Sequence, residues 1–177
     1  MTFKDFLNEL KAAKSNYNYE EVTENNSNYI TFKLEDDLYA VDVKHVEEVI
    51  EMKKTIDTKE NKKYIKGLIP YKKTLINVID LRLRLDMKEK KYDNNTTIVI
   101  TNLKDSFVGL IVDDVIEITS IPHKNISYNH DRGVYLSCSD GFVKGTGRTD
   151  GENKKLLDLD KIIYCDRYNI LGHIVTQ

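Results

Sequence analysis

The sequence predicts a mainly β protein built as two five-stranded barrels packed together, with short helices. Related stretches within the chain predict this duplication. YIKG at 64–67 resembles FVKG at 142–145, 78 positions later, and an Asp-Leu pair follows each stretch at the same distance. Residues 43–49 resemble 112–118 at an offset of 69. Repeats of this size exceed the roughly 20 to 50 residues of a solenoid unit and favour a duplicated β unit, which removes its exposed edges by closing into a barrel.

The first half of the predicted domain, 29–90, begins with the pattern of a β-hairpin. Apolar and polar residues alternate at 30–34, acidic residues form a turn at 35–37, and 38–43 returns as the second strand. An almost continuous apolar run at 75–79 predicts a strand that is covered on both faces.

A short helix is predicted between this hairpin and the lysine-rich loop at 51–63. The apolar period changes there from that of a strand to that of a helix. Val46, Val49 and Ile50 fall on one face of this helix, and charged residues occupy the other.

The second half, 91–163, repeats the plan. Strands at 96–101 and 107–112 flank a turn, and an Asp150-Gly151 turn joins the strands that complete the copy. The segment around Val115 fits the short helix less well than its counterpart and is compatible with an extended conformation.

Residues 1–28 are predicted to form an amphipathic helix followed by a polar linker. Apolar residues recur at helical spacing within 2–14, with Thr2 as the N-cap, and the Asn-rich stretch 15–28 has no periodicity. The apolar stripe consists of Phe3, Phe6, Leu7 and Leu10. The stripe needs a partner, so the helix either packs back onto the barrels or docks a neighbouring subunit. The tail at 164–177 has no informative pattern.

Composition and charge argue against several classes of protein. The net charge of −2 and the pI near 6.1 argue against nucleic-acid binding, which usually needs a strongly basic surface. No run approaches the roughly 18 apolar residues of a membrane-spanning helix, so no membrane insertion is expected. The charged N-terminus lacks the apolar region of a signal peptide, and we predict a cytoplasmic protein.

The sequence offers no convergent set of catalytic or metal-binding groups. The four histidines lack the spacing of paired metal ligands, and the two cysteines lack a context that would activate a thiol. These residues are His45, His123, His130, His173, Cys138 and Cys165. The glycines at 145–151 miss the GxGxxG spacing, and there is no GK[ST] motif. We therefore predict a binding module with no catalytic residue, no metal and no cofactor.

Four blocks of sequence resemble, in order, those of CheW-like chemotaxis coupling domains. The blocks are YITFKLEDDLYAVDVKHVEEVIEM, YIKGLI with TLINVIDLRLRL, TTIVITNLKDSFVGLIVDDVIEI, and FVKGTG with LLDLDKII, and they extend over 29–163. The resemblance implies two five-stranded SH3-like barrels without catalytic activity. It also implies an adaptor that joins the regulatory domain of a CheA-type histidine kinase to the cytoplasmic tips of methyl-accepting chemoreceptors. By the same resemblance, the protein contacts other CheW-like subunits in arrays beneath the inner membrane.

The resemblance assigns candidate receptor-binding and kinase-binding residues. The family's V-x-E-[VI] motif, at a receptor-facing groove, matches 46–49, and its KG motif matches 66–67. The family's N-L-R-G reads PYKK here, so two lysines take the positions of the arginine and the glycine. Lysine keeps the charge of arginine but loses its planar fork. The candidate site residues are Val46, Glu48, Val49, Lys66, Gly67, Lys72, Lys73 and Val115.

In this interpretation an apolar groove between the barrels accepts the apolar stripe of a receptor helical hairpin. Val46, Val49 and Val115 line the groove. Glu48 and Lys72 lie at its rim and adjust register and partner choice. Val46 and Val49 also fit a purely structural role in the core. If Val46 lines the groove, we expect Val46→Asp to weaken receptor capture and to leave the fold intact.

Three alternatives remain open. A divergent CheW-like paralogue would serve another CheA-type pathway, such as motility or surface sensing, or would bind the kinase without receptors. The barrels would otherwise bind a small molecule or a nucleic acid, although the sequence lacks an aromatic and basic patch. The third alternative is an enzyme that uses Cys138 or Cys165 together with a histidine.

Overall fold

The computed structural model describes residues 3–15, 25–129 and 140–165. Within these ranges three helices and eleven strands are formed, and the prediction of a mainly β fold with short helices is confirmed. The helices are α1 (Phe3–Ser15), α2 (Leu81–Arg84) and α3 (Leu159–Tyr164). The strands are β1 (Asn26–Leu34), β2 (Asp37–Asp42), β3 (Val46–Glu51), β4 (Ile65–Tyr71), β5 (Thr74–Asp80), β6 (Thr97–Leu103), β7 (Ser106–Val112), β8 (Asp114–Pro122), β9 (Ile126–Tyr128), β10 (Val143–Thr149) and β11 (Glu152–Leu157). The predictions on Thr2, His130, Cys138, His173, most of the linker and the tail beyond 165 fall outside the described residues.

The strands form two sheets, and each sheet takes strands from both halves of the sequence. One sheet is six-stranded, in the order β8-β1-β2-β11-β10-β9, and the other is five-stranded, in the order β3-β6-β7-β5-β4. The sixth strand of the larger sheet is the three-residue β9. The halves 29–90 and 91–163 therefore do not coincide with the sheets, because hairpin β1–β2 joins β8–β11 and hairpin β6–β7 joins β3–β5.

Equivalent residues of the repeat form equivalent pairs in the two sheets. Strand β5 pairs in parallel with β7 through Asn77 and Val108, and β11 pairs in parallel with β2 through Lys155 and Tyr39. Lys155 follows Asn77 by 78 positions, and Val108 follows Tyr39 by 69 positions, so the two pairs are equivalent in the two copies of the repeat. The duplicated sequence thus forms duplicated pairing, with the hairpins exchanged.

The two Asp-Leu pairs each end a strand and begin a short helix. Asp80 caps α2 by accepting a hydrogen bond from the amide of Leu83 at 3.2 Å. Asp158 caps α3 by accepting one from the amide of Lys161, also at 3.2 Å. A carboxylate at this position satisfies a helix amide that has no partner within the helix. This capping role explains why the Asp-Leu pair recurs in both copies.

The short helix predicted around Val46 is wrong, because Val46–Glu51 forms strand β3. The helical content is limited to a single 3-10 turn at Val43–His45, just before the strand. A bulge between Val46 and Glu48 adds one residue to the pairing of β3 with β6. Because of this extra residue, Val46 and Val49 are both buried, at a spacing that imitates one face of a helix.

Helix α1 packs onto the largest core of the molecule. Phe6 and Leu10 are buried there, in the cluster that includes Val46 and Val49. Burying a side chain of this size stabilises the docked helix by about 1.5–3 kcal/mol. The apolar stripe predicted for α1 therefore faces the protein's own strands.

Arg84 ties the two copies of the repeat together. It is buried at the end of α2, and its Nε donates a hydrogen bond to the carbonyl of Ile162 in α3 at 2.8 Å. The guanidinium carbon lies 4.4 Å from the ring centroid of Tyr64 and 4.6 Å from that of Phe142, within the range of a cation–π contact. Tyr64 and Phe142 begin the two related stretches, so both copies converge on one buried cation.

Candidate functional site

Two of the candidate residues, Val46 and Val49, lie in the core and not in an open groove. Each is 1% exposed, and both pack in the cluster that contains Phe6 and Leu10 of α1. This position changes the expectation for Val46→Asp. A carboxylate there would lose its hydration, so we expect the substitution to destabilise the fold.

The bulge in β3 places Glu47 at the edge of this core, where two lysines meet it. The Nζ atom of Lys72 lies 2.7 Å from Oε1 of Glu47. Lys14, near the end of α1, donates a hydrogen bond to the Glu47 carbonyl at 2.9 Å, and its Nζ lies 3.6 Å from Oε2. The hydrogen bond from Lys72, with the charge of Lys14, holds the pKa of Glu47 below its usual value despite partial burial. We refer to Glu47, Lys72 and Lys14 as the Glu47 cluster.

Lys72 is oriented by its turn and by two aromatic rings. It is the first residue of the two-residue turn between β4 and β5, with a φ of 51°. Its Nζ lies 5.4 Å from the ring centroid of Tyr71 and 4.8 Å from that of Phe107, distances at which a cation is attracted to the ring. Lys73 completes the turn and is exposed. Because the positive φ falls on Lys72, the turn does not require a glycine at position 73.

Glu48 is exposed and interacts with Tyr71. Burial, followed by the charge and hydrogen bonding of Glu48, raises the pKa of Tyr71 to about 12. The Tyr71 hydroxyl therefore stays protonated at neutral pH and can donate to the Glu48 carboxylate. Glu47 and Glu48, adjacent in sequence, thus contact Lys72 and Tyr71, which are also adjacent.

Lys66 and Gly67 lie at the other end of β4 from Lys72. Six residues of extended strand separate Lys66 from Lys72, about 20 Å at the usual rise per residue. The Nζ of Lys66 lies 2.7 Å from Oε1 of Glu89. Gly67 has a φ of 121°, and a Cβ added there would lie 2.2 Å from the carbonyl oxygen of Ile56. Gly67 is therefore required by the close approach of the segment around Ile56, whatever its role in binding.

Val115 lies on β8, where α1 packs. It is half-buried and contacts the same core as Phe6. A cavity of about 200 Å³ remains between α1 and the strands beside it. Its lining includes Phe3, Phe6, Asp114, Val115 and Ile116.

The structure brings together only part of the candidate set. Glu48 and Lys72 lie close together, because each contacts the residue that is adjacent to the other in sequence. Lys66 and Gly67 lie at the far end of their strand, and Val115 lies under α1. Sequence analysis missed Glu47 and Lys14. Glu47 fills the variable position of V-x-E-[VI], and Lys14 belongs to a helix whose docking position the sequence left open. The signal that identifies Glu47 is the bulge, which is a property of strand pairing.

Metal binding and membrane insertion are not indicated by the described part of the chain. Across 3–15, 25–129 and 140–165, no three His, Cys, Asp or Glu side chains are grouped so that they could hold a metal ion. The helices in those ranges are also too short or too polar to cross a membrane. His45 ends the 3-10 turn before β3, and burial, aided by the charge of Lys44, lowers its pKa.

Comparison with known proteins identifies the family. Residues 28–166, most of the chain, match the CheW-like domain. The chain belongs to the CheW-like family. Members of this family are non-catalytic adaptors, so the predictions of the family and of a protein that is not an enzyme are confirmed.

Individual CheW proteins are similar over most of their length. The chemotaxis protein CheW of Klebsiella aerogenes is 22% identical over 149 residues, covering 84% of this chain and 89% of the relative. That of Thermotoga maritima is 28% identical over 136 residues, covering 76% and 85%. The crystal structure of the scaffolding protein TtCheW from Thermoanaerobacter tengcongensis aligns with a TM-score of 0.72 at 26% identity, covering 79% of this chain and 94% of that one. The solved fold therefore agrees with the two-sheet architecture described above.

Proposed function

We propose that this CheW-like protein couples chemoreceptors to a CheA-type histidine kinase. The observation that carries the proposal is the family match, which extends over both sheets. The similarity to a solved scaffolding protein supports it. The proposed partners are the regulatory domain of the kinase and the cytoplasmic tips of methyl-accepting chemoreceptors. In this role the protein acts in the cytoplasm and is recruited to receptor arrays, where it also meets other CheW-like subunits.

The Glu47 cluster is the part of the surface best suited to choosing a partner. Lys72 presents a cation that Glu47, Tyr71 and Phe107 hold in place, while about half of its side chain stays exposed. A partner carboxylate can approach this cation without reorganising it. Charged contacts at a rim mainly set register and partner choice. Each contact is modest, and an array gains strength because many act together.

The proposal is tested by measuring binding of the purified protein to two partners, separately and together. One is the regulatory domain of a CheA from the same genome, and the other is the helical hairpin tip of a receptor. Isothermal titration calorimetry should detect binding to both, and the ternary mixture should form a larger complex in size-exclusion chromatography. Binding to neither partner would contradict the proposal.

A matched pair of variants connects this binding to the Glu47 cluster. Lys72→Glu reverses the charge at the cluster. Lys155→Glu is the control, because Lys155 likewise pairs with an acidic residue, Asp37, and lies 5.2 Å from the ring centroid of Tyr39, but on the six-stranded sheet. We expect Lys72→Glu to weaken binding of at least one partner by about tenfold or more, as for a charge reversal at an interface. If the two variants weakened binding equally, the Glu47 cluster would not be part of the binding site.

A second candidate function is supported by the position of α1. The helix packs against β8, which carries Val115, and against the 3-10 turn that precedes Val46, and both valines are expected to line a receptor groove. A paralogue that binds the kinase without receptors, or that serves another CheA-type pathway, would not need that groove to be open. Calorimetry separates the two functions, because such a paralogue binds the kinase domain and not the hairpin tip.

A further inference from the structure

We propose that α1 is a built-in competitor of the receptor helix: it occupies the apolar surface beside β3 and β8, and a helical partner must displace it to bind there. The inference rests on the proposed receptor-binding function and adds a means of regulating it. It follows from three features of the docked helix: its residue pattern, its incomplete packing and its contact with Glu47.

The residue pattern of α1 defines what this surface accepts. Phe6, Leu10 and Lys14 are spaced four residues apart, so they lie along one side of the helix. The first two are buried in the main core, and the third reaches both the carbonyl and the carboxylate of Glu47. The surface therefore fits an amphipathic helix that carries apolar residues at positions i and i+4 and a cation at i+8. A partner helix with this pattern would make the contacts that α1 makes now.

The packing of α1 is incomplete, which allows the helix to leave. Of its apolar residues only Phe6 and Leu10 are buried, whereas Phe3 and Leu7 are half-buried. A cavity of about 200 Å³ lies beside Phe3 and Phe6, between the helix and residues 114–116 of β8. An isolated helix of this length is only marginally stable in water, so the helical structure of α1 depends on docking. Displacement by a partner would therefore release α1 and unfold it in the same step.

The Glu47 cluster connects α1 to the exposed rim. One oxygen of the Glu47 carboxylate faces Lys72, and the other faces Lys14 of α1. When α1 leaves, Glu47 loses one of these two cations while Lys72 stays beside it. A cation on the incoming helix can then take the place of Lys14. The same carboxylate thus anchors the competitor and offers the partner its polar contact.

Two substitutions at one exposed position of α1 test the proposal in the full-length protein. Glu9→Pro breaks the helix in its middle without touching a buried residue, and Glu9→Ala removes the same charge while preserving the helix. We expect Glu9→Pro to bind the receptor hairpin tip about 10-fold to 100-fold more tightly than wild type, from the cost of proline within a helix. We expect the affinity of Glu9→Ala to stay within about twofold of wild type.

Hydrogen exchange provides a readout of displacement that does not depend on affinity. Adding the hairpin tip to the wild-type protein should remove the exchange protection of the amides in α1, while the strands of both sheets keep theirs. A circular dichroism melt establishes that Glu9→Pro remains folded. A peptide of residues 1–15 added to Glu9→Pro should compete with the hairpin tip, and the same peptide carrying Phe6→Asp and Leu10→Asp should not.

The outcomes separate this inference from the proposed function. Equal affinities of wild type and Glu9→Pro, with α1 still protected in the complex, would overturn the inference and leave receptor binding intact. Failure of both proteins to bind the hairpin tip would overturn the receptor-binding function, and the inference with it. A wild-type dimer that Glu9→Pro abolishes would assign the surface to the helix of a second copy and would also overturn the inference.

Discussion

The two sheets follow the same register but fill their interiors differently. The core enclosed by the five-stranded sheet is apolar and contains Ile76 and Ile100. The positions related to these by the offsets of 78 and 69 are Lys154 and Thr31 in the six-stranded sheet, and both are fully buried. The same strand pairing therefore encloses an apolar core in one copy and a lysine in the other.

The charged end of Lys154 is buried and makes no hydrogen bond within the described residues, but it lies at ion-pair distance from two acidic side chains. Its Nζ lies 3.5 Å from Oε1 of Glu117, which is half-buried, and 3.6 Å from Oε2 of Glu152, which is exposed. The apolar stem of the side chain fills the interior. Gly147 pairs with Lys154 where Ile69 pairs with Ile76, and a Cβ on Gly147 would lie 2.8 Å from Cδ1 of Ile121. The duplicated register therefore constrains the backbone more than it constrains the interior side chains.

The largest expected effect comes from transferring the lysine to the apolar sheet. Ile76→Lys places an ammonium group at a position that is 4% exposed, among isoleucine and valine side chains. We expect it to lower the free energy of unfolding by more than about 4 kcal/mol, since a charge is buried without a designed partner. Urea denaturation measures the loss, with Ile76→Val as a control that should cost about 1 kcal/mol. A loss below about 2 kcal/mol would mean that both sheets tolerate the charge equally well.

The next largest loss of stability is expected at the glycines of the two related KG pairs. A Cβ on Gly67 would lie 2.2 Å from the Ile56 carbonyl oxygen at a φ of 121°, whereas one on Gly145 would lie 2.6 Å from the Ser127 carbonyl oxygen. Gly67→Ala combines a clash with backbone strain, so we expect it to cost about 3 kcal/mol or more. Gly145→Ala should cost about 1–2 kcal/mol, because it carries the clash alone. Thermal melts of the two variants check the order, and the reverse order would contradict it.

The two helix caps should differ in how much they contribute to stability. Asp80 accepts hydrogen bonds from the amide of Leu83 and from the hydroxyl of Tyr92, at 2.7 Å for the latter, and is buried. Asp158 is more exposed. We expect Asp158→Ala to cost about 1 kcal/mol, as for a lost cap, and Asp80→Ala about 2–3 kcal/mol. Tyr92→Phe in combination with each variant gives a double-mutant cycle, which should show coupling to Asp80 and none to Asp158.

A smaller effect is expected when the buried lysine is removed. Lys154→Met keeps most of the stem and deletes the charge, while Glu117 and Glu152 remain hydrated at the surface. We expect stability to change by less than about 1 kcal/mol or to increase, because removing a buried charge offsets the lost ion pairs. Lys154→Ala is the control and should cost about 2 kcal/mol through the cavity it leaves. A loss above about 2 kcal/mol for Lys154→Met would show that the ion pairs hold the sheet together.

The smallest effect is expected at the two bulges. Glu47 is the extra residue of the bulge in β3, and Ile116, 69 positions later, is the extra residue of a bulge in β8 where it pairs with β1. The folded-state pKa of Glu47 lies below the ordinary value of 4.5. Its contribution to stability is therefore present above about that pH and is lost as the pH falls through the folded-state pKa. We expect Glu47→Gln to cost about 0.5 kcal/mol at neutral pH, because the ion pairs are partly exposed.

The pH dependence of this difference is measured with urea midpoints of wild type and Glu47→Gln between pH 7 and pH 3. The two midpoints should converge below pH 4.5. Ile116→Val serves as the control, and its difference from wild type should not change with pH. A constant difference for Glu47→Gln would show that the carboxylate charge does not contribute to stability.

Much of the fold could be predicted from local patterns. Alternating residues located the hairpins, and the Asp150-Gly151 turn was correct, with both residues at positive φ. The helical spacing of Val46 and Val49 predicts a helix wrongly, because a bulged strand also buries residues that are three positions apart. The candidate site was predicted less completely. The sequence predicts roles for Glu48 and Lys72, but Glu47 is identified only by the bulge in β3 and by its contact with Lys14 of α1.

The sequence by itself determined the duplication, most of the strands and the family, because each depends on residues that are close in the chain or on a repeated pattern. Only the tertiary structure decided which hairpin joins which sheet, since these strands pair across sequence separations that run from 31 residues for β5 with β7 to 116 for β2 with β11, and such pairing leaves no local signal. It also decided that Val46 is buried in the core onto which α1 packs and that Lys14 meets Glu47. Burial and long-range charge pairing depend on which surfaces the folded chain brings together, and a linear pattern does not contain that information.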